Sequence, residues 1–222
     1  MDFPAIAYRT YQQWKNHSSM SAFFFNVLRN LQSIKNPITK TRKFHQIINE
    51  NIDSIFEDTT VTRSVSCKIG CSGCCHTPVS VTNEEAQLLA HRVNSGLEIS
   101  TKNLERQALL GNSSASYYSL SFQNRKCVFL SEAGACTVYE DRPAVCRTNF
   151  VVGNAKQCDT SDGKEKPVRL LTTTKADIAI IAGYKSASSS GLLPYMLYKE
   201  LNKKQNSNQS VLVMRKDSFT EK

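Results

Sequence analysis

The sequence predicts a mainly α-helical protein with a small β-hairpin and a cysteine-rich metal-binding domain. Apolar residues recur at helical spacing through much of residues 1–60. Two short apolar segments flank a glycine-containing loop within 127–139, as in a hairpin. Half of the eight cysteines lie between Cys67 and His76. With 222 residues, of which 40% are hydrophobic, the chain can bury a core without help from a metal ion.

These patterns predict three segments: a helical N-terminal extension (1–60), a metal-chelating domain (61–160), and a helical C-terminal region with a mobile tail (161–222). Within the first segment, the serine-rich run at 18–21 is expected to separate two helices, and Pro37 marks the start of another.

Beyond the first cysteines, Thr82 and Glu85 form a capping box, which predicts a helix to about Val93. A further helix is predicted over 101–110, followed by a loop over 112–126. The hairpin at 127–139 comes next, and a turn of helix after Pro143 presents Cys146 and Arg147. Helices are then predicted over 172–187 and 192–203, with a polar, mobile tail after 204.

Composition limits the classes of binding partner that the sequence predicts. The formal charge of +9 comes from scattered lysines and arginines, which indicates a solvated basic surface, and no nucleic-acid recognition motif accompanies it. No run reaches the ~18–20 apolar residues of a membrane span, and no secretory signal is visible, so we expect a cytoplasmic protein. Thiols stay reduced in that compartment, so clustered cysteines indicate a metal rather than disulfides.

The spacing of the first cysteines supports a metal site. Cys67, Cys71 and Cys74 stand at i, i+4 and i+7, which share one helical face, and Cys75 follows directly. Two glycines within this stretch favour a helical turn that breaks into a loop. Thiolates this close repel one another, and a bound cation removes that repulsion.

The cysteine order resembles the YkgJ-type cysteine-cluster family, a CxxxCxxCC zinc- or iron-chelating domain. The resemblance covers about 65–150 and rests on the first four cysteines, then Cys127-Val-Phe-Leu, Gly134-x-Cys136 and Arg142-Pro-x-x-Cys146-Arg147. It implies a metal or iron–sulfur domain. The predicted metal ligands are Cys67, Cys71, Cys74, Cys75, Cys127, Cys136 and Cys146. Cys158 lies outside the motif, so Cys74→Ser is expected to lower metal content and Cys158→Ser to leave it unchanged.

Three metal sites agree with these residues. Closely spaced cysteines plus a remote one favour an iron–sulfur cluster. A structural zinc ion closed by four sulfurs is the second, although only Cys71-x-x-Cys74 has the usual zinc spacing. The third is a mononuclear iron or zinc ion bound by cysteines and His76. The radical S-adenosylmethionine and c-type haem signatures are not met, because Gly73 replaces the aromatic residue before Cys74 and Cys75 follows Cys74.

Three further residues are predicted to bind the cofactor through hydrogen bonds: His76, Arg142 and Arg147. The alternatives are a direct metal-ligand role for His76 and salt bridges from the arginines to Glu140 or Asp141. The functional hypothesis is a metal-binding protein that acts in redox, metal handling or protein interaction, with a protein partner. A related cluster occurs in flagellin lysine methylases, so the alternative is a cluster-dependent enzyme that modifies a protein side chain.

Overall fold

The computed structural model describes residues 3–68, 70–164, 166 and 168–203. It confirms the mainly α class. The helices are α1 (Ala5–Trp14), α2 (Ser18–Ser33), α3 (Pro37–Phe56), α4 (Thr59–Ser64), α5 (Asn83–Asn94), α6 (Thr101–Ala108), α7 (Ser114–Tyr117), α8 (Ala144–Arg147), α9 (Thr174–Ser186) and α10 (193–203). Strands β1 (Ser80–Thr82) and β2 (Ser190–Leu192) complete the list, with short 3₁₀ turns at Gly73–His76, Gln123–Arg125, Tyr139–Asp141 and Ala155–Cys158.

Side-chain caps and a proline fix where the helices begin. The Asn36 side chain accepts from the Thr39 amide (2.9 Å) and Pro37 opens α3, as predicted. The capping box is also confirmed, because Thr82 and Glu85 each accept from the other's amide. The first break was predicted wrongly. It falls at 15–17, since serine at 18–21 is accommodated in the first turn of α2.

The first hydrophobic core joins the N-terminal helices to α9. Leu31 of α2, Ile48 of α3 and Ile181 of α9 are completely buried in it. A second core lies under α5, α6 and α10 and includes Phe129 and Val138, which flank the cysteine-bearing turn. The cysteine region is therefore held between two packed layers.

Gly183 on α9 faces the ring of buried Phe44, and a methyl group at this position would overlap the ring. Helix propensity alone predicts that Gly183→Ala gains about 1 kcal/mol. Overpacking typically costs about 1–3 kcal/mol, and the ring of Phe44 is buried in the first hydrophobic core. We expect a net loss in the free energy of unfolding, measured in urea. Lys175→Ala on the exposed side of α9 is the control and should change it by less than about 0.5 kcal/mol. A stabilised Gly183→Ala would contradict the packing.

The small antiparallel sheet pairs remote strands, with Ser80 opposite Leu192, Val81 opposite Gly191 and Thr82 opposite Ser190. The predicted hairpin at 127–139 is much reduced. The chain turns back there through one bridge, Leu130 to Cys136, and neither side is a strand. The cause is local: the amide of Cys127 donates to the carbonyl of Cys75 (2.8 Å) and the carbonyl of Cys127 accepts from the amide of Leu130 (2.9 Å), so neither group pairs with a neighbouring strand.

Other predictions need smaller corrections. The helix predicted over 101–110 ends at Ala108, and Gly111 follows with a φ of +70°. The predicted loop at 112–126 contains α7 and a 3₁₀ turn, because Ser113 caps the amide of Ser116. The predicted mobile tail after 204 lies outside the described residues. No helix among the described residues is long and apolar enough to cross a bilayer.

Candidate metal centre

The segment carrying the first four cysteines is held at both ends. At its start, Val65 bridges Val152, and the amide of Ser66 donates to the carbonyl of Val151 (2.8 Å). At its end, Cys74 and Cys75 lie on the 3₁₀ turn Gly73–His76. The predicted helical turn is therefore present, and it covers only the last two cysteines.

The remote cysteines come to this segment by backbone contacts. The amide of Cys127 donates to the carbonyl of Cys75 (2.8 Å), which joins the two chain segments next to their sulfurs. The bridge from Leu130 brings Cys136 back beside Cys127. Cys146 lies on α8, whose first amide, from Ala144, donates to the Glu85 carboxylate (2.7 Å).

Backbone amides act on three of the sulfurs. The amide of Val151 lies 3.3 Å from Sγ of Cys67. Burial raises the pKa of Cys127 and of Cys136, and the amides of Phe129 and Val138, each two residues further along the chain, oppose that rise. An amide donor stabilises a thiolate more than a thiol, and such bonds are common around metal-bound sulfur. All eight cysteines are free, so none of these sulfurs is committed to a disulfide.

The pKa values of the neighbouring thiols Cys74 and Cys75 shift in opposite directions. A hydrogen bond from Cys75 lowers the pKa of Cys74 to about 6, against the opposing effect of burial. The same bond raises the pKa of Cys75, and burial raises it further. Of the two thiols, Cys74 is therefore the one that loses its proton more readily, as a cation ligand must.

The other sulfurs are close enough to act on this thiolate. Burial raises the pKa of Cys127 to about 11 and that of Cys146 well above its usual value, and in both cases the charge at Cys74 adds to the rise. Cys136 and Cys67 also interact electrostatically with Cys74. Sulfurs from separate segments of the chain thus surround one thiolate.

These residues fit a thiolate-bound metal in chemistry and in their amide donors. In the ranges that the structure describes, however, no three Cys, His, Asp or Glu side chains stand close enough to hold an ion as they are. Cys71 is exposed and follows Gly70, whose φ of +87° lies in the left-handed region that favours glycine.

The three predicted cofactor-binding residues, His76, Arg142 and Arg147, make different contacts. The His76 ring stacks on Phe122 with centroids 4.0 Å apart, and its Nδ1 lies 3.2 Å from the Ser72 carbonyl. Arg142 covers the ring of Tyr139 at 3.7 Å and lowers the pKa of Cys136, although burial of that thiol has the larger and opposite effect.

Arg147 is buried in a hydrogen-bond network, and it also interacts electrostatically with Cys136 and Cys146. Its guanidinium donates to Asn49 (2.9 Å) and His45 (3.0 Å) and to the carbonyls of Arg142 and Glu140. His45 in turn donates through Nε2 to Glu85 (3.0 Å). The hydrogen bond that Arg147 makes to Glu140 uses the backbone carbonyl, not the carboxylate of the alternative salt bridge. This network joins α3, α5 and α8 behind Cys146.

Sequence reasoning missed two residues near the centre. Cys158 lies against Gly73, and a Cβ added to Gly73 would stand 2.7 Å from the Cβ of Cys158. Arg125 is completely buried and donates to the carbonyl of His76 (3.1 Å) and to Thr160 Oγ1 (3.0 Å). Gly73, a glycine between two cysteines, is the sequence signal for such a close approach of two backbone segments. Nothing in the sequence singled out Arg125.

Metal binding is expected to release protons. Cys75, Cys127 and Cys146 are thiols at neutral pH because their pKa values are raised, and each must lose its proton to become a ligand. Affinity should therefore rise with pH between about 6 and about 8, with about one proton released per bound thiol. Calorimetry of Zn²⁺ binding in buffers of different ionisation enthalpy measures this release. Binding that is independent of pH and buffer would contradict the involvement of these thiols.

Comparison with known proteins identifies the region. Residues 66–168 match the CxxCxxCC family model, described as a putative zinc- or iron-chelating domain. The match confirms the resemblance drawn from the cysteines and supports metal binding. It extends past the predicted limit near 150 and includes Cys158. Neither the curated proteins nor the solved structures contain a match to the chain.

Proposed function

We propose that the cysteine domain binds an iron–sulfur cluster, or else a zinc or iron ion, and that the protein acts in redox, metal handling or protein interaction. The observation that carries the proposal is that separate cysteine segments meet, because the amide of Cys127 donates to the carbonyl of Cys75 (2.8 Å). The amide of Val151, 3.3 Å from Sγ of Cys67, is the kind of donor that a metal-bound thiolate uses.

The ligand spacing favours the iron–sulfur form. Cys67, Cys71 and Cys74 are closely spaced, and remote cysteines follow in the chain, which is the usual arrangement for cluster ligands. An iron–sulfur centre would make electron transfer the natural activity.

The alternative of an enzyme gains no support from the cavities. A cleft of about 280 Å³ is lined by α3 and the 3₁₀ turn Tyr139–Asp141. None of the eight cysteines lines it. A substrate in this cleft would have no direct contact with the sulfurs.

Anaerobic purification of the full chain, followed by metal analysis and a visible spectrum, tests the proposal. A brown protein that absorbs near ~400 nm and contains acid-labile sulfide identifies an iron–sulfur cluster. A colourless protein with bound zinc identifies the zinc form. Cys127→Ser, prepared in parallel, should contain less metal. A wild-type chain that holds no metal and takes up none when Fe²⁺ with sulfide, or Zn²⁺, is added would overturn the proposal.

A further inference from the structure

Arg125 is a charged residue with no exposed surface, and it lies two residues before Cys127. Its guanidinium donates to the carbonyl of His76 (3.1 Å) and to both Oγ1 (3.0 Å) and the carbonyl of Thr160. His76 directly follows the fourth cysteine of the motif, and Thr160 lies two residues after the last cysteine of the chain. One buried side chain therefore joins three segments that each contain or adjoin a cysteine. We call these hydrogen bonds the Arg125 bridge.

Two of these segments depend on the Arg125 bridge for their hydrogen-bonded connection. They touch at Gly73, where an added Cβ would stand 2.7 Å from the Cβ of Cys158. Among the described residues, however, no hydrogen bond runs directly between 73–76 and 155–160. Packing contact alone does not fix the relative position of two loops, so the bridge is what sets their distance.

The backbone at Arg125 is itself held by buried side chains. Gln107 of α6 donates to the carbonyls of Asn124 (2.7 Å) and Lys126 (2.9 Å). Tyr117 of α7 donates to the carbonyl of Arg125 (2.8 Å). Three successive carbonyls are thus fixed to two helices. A side chain that starts from a fixed backbone holds its targets in a defined geometry, as a supporting residue of a binding site must.

The charge of Arg125 has no carboxylate partner among the residues that the structure describes. Its Cζ lies 5.1 Å from the ring centroid of Tyr118 and 5.6 Å from that of Phe122. Burying a cation is costly unless hydrogen bonds offset the loss of water. An apolar side chain would fill the same space without that cost, so what distinguishes arginine here is its planar fork of donors.

The same segment makes a second bond to the turn Gly73–His76. The amide of Cys127 donates to the carbonyl of Cys75 (2.8 Å), next to the carbonyl that accepts from Arg125. Two adjacent carbonyls of this turn are therefore bound by residues 125–127. Groups that orient metal ligands from outside typically change metal affinity by about 10–100-fold when they are removed.

We propose that Arg125 is the positioning residue of the metal centre. It holds the turn that carries Cys74 and Cys75, the segment that leads into Cys127 and the segment that follows Cys158 at fixed distances from one another. It acts through carbonyl and hydroxyl oxygens and is not itself a ligand. The inference rests on the proposed function, because the property that Arg125 controls is the affinity of the cysteines for a thiophilic metal.

Co²⁺ binding to the reduced, metal-free full chain, measured in competition with a chelating dye, tests the proposal. Arg125→Met fills the space and removes every donor, so it should bind Co²⁺ about 10–100-fold more weakly than the wild type. Arg125→Lys keeps the charge but lacks the planar fork, so it should restore only part of the affinity. Iron and sulfide in the anaerobically isolated chains give the same comparison for a cluster.

A matched control separates positioning from stability. Leu31→Ala opens a cavity in the first core and should make the protein easier to unfold in urea without changing its affinity for Co²⁺. Because the metal binds the folded state, a variant that is almost entirely folded loses no measurable affinity through lower stability alone. If Arg125→Met does not fold, Thr160→Val replaces it. This variant removes one acceptor of the bridge and should weaken binding about 10-fold.

The outcomes separate this inference from the proposed function. If the wild type binds no Co²⁺ and holds no metal as isolated, the proposed function fails. If the wild type binds metal and a folded Arg125→Met, or Thr160→Val in its place, binds it equally tightly, only the role of Arg125 is wrong. Full affinity in Arg125→Lys would show that charge alone suffices. An equal loss in Leu31→Ala would show that stability decides. Either result contradicts the Arg125 bridge.

Discussion

Replacing Cys74 by serine should remove at least half of the metal bound by the protein. Cys74 is the one sulfur whose pKa is lowered, to about 6, through the hydrogen bond from Cys75. Six other cysteines interact with it: Cys67, Cys75, Cys127, Cys136, Cys146 and Cys158. A serine hydroxyl stays protonated at neutral pH and is a poor ligand for zinc or iron in a sulfur site, so one ligand and the central negative charge are lost together.

Metal content per chain after anaerobic purification measures this loss. Ser72→Ala is the matched control, because it alters the same segment, two residues away, and leaves every sulfur in place. The control should keep the wild-type content. Equal metal in Cys74→Ser and the wild type would show that Cys74 is not a ligand. An equal loss in Ser72→Ala would show that the segment, not the sulfur, is responsible.

Glu85→Ala should be the most destabilising of the substitutions considered, at about 3–5 kcal/mol. The completely buried Glu85 carboxylate accepts from the amide of Thr82 (2.8 Å), the amide of Ala144 (2.7 Å) and His45 (3.0 Å). Alanine would leave three buried donors without an acceptor and would detach α8, which carries Cys146. Urea unfolding measures the free energy, and metal content should fall in the same variant.

Two variants test whether the carboxylate itself matters. Glu132→Ala removes a fully exposed carboxylate that pairs only with Lys126, and it should leave the unfolding curve unchanged. Glu85→Gln keeps the shape but turns one acceptor into a donor that faces a backbone amide, so it should lie between alanine and the wild type. A Glu85→Ala protein as stable as the wild type would contradict the network.

The same carboxylate gives stability a pH dependence. Burial alone would raise the pKa of Glu85, but the hydrogen bonds from His45, Thr82 and Ala144 outweigh it and the pKa is lowered. Its contribution is therefore complete above its unfolded value of about 4.3 and disappears as the pH falls through the lower folded value.

The helical pattern and the chemistry of the centre could be predicted from sequence because both depend on local spacing. Three such patterns involve residues only one or two helical turns apart: the apolar stripe that ends at Phe56, the capping box at Thr82 and the spacing of the cysteines from Cys67 to Cys75. The hairpin was overestimated because the amide and the carbonyl of Cys127 bond to Cys75 and Leu130, which no strand pattern reveals.

The partners of remote residues could not be predicted. Arg147 stays a predicted cofactor-binding residue, but the hydrogen bonds from its guanidinium to His45 and Asn49, about 100 residues earlier in the chain, had no signal in the sequence. Cys158 was set aside because it falls outside the motif, whereas its approach to Gly73 depends on how the 155–160 segment folds back. Such contacts are decided by packing and leave little trace in local sequence.

X-ray absorption at the edge of the bound metal tests most directly whether remote sulfurs share an inorganic centre. The account predicts a first shell made of sulfur, with about four atoms per metal at about 2.3 Å, and fewer in Cys127→Ser. A first shell of oxygen and nitrogen, or a sulfur shell unchanged in that variant, would contradict it.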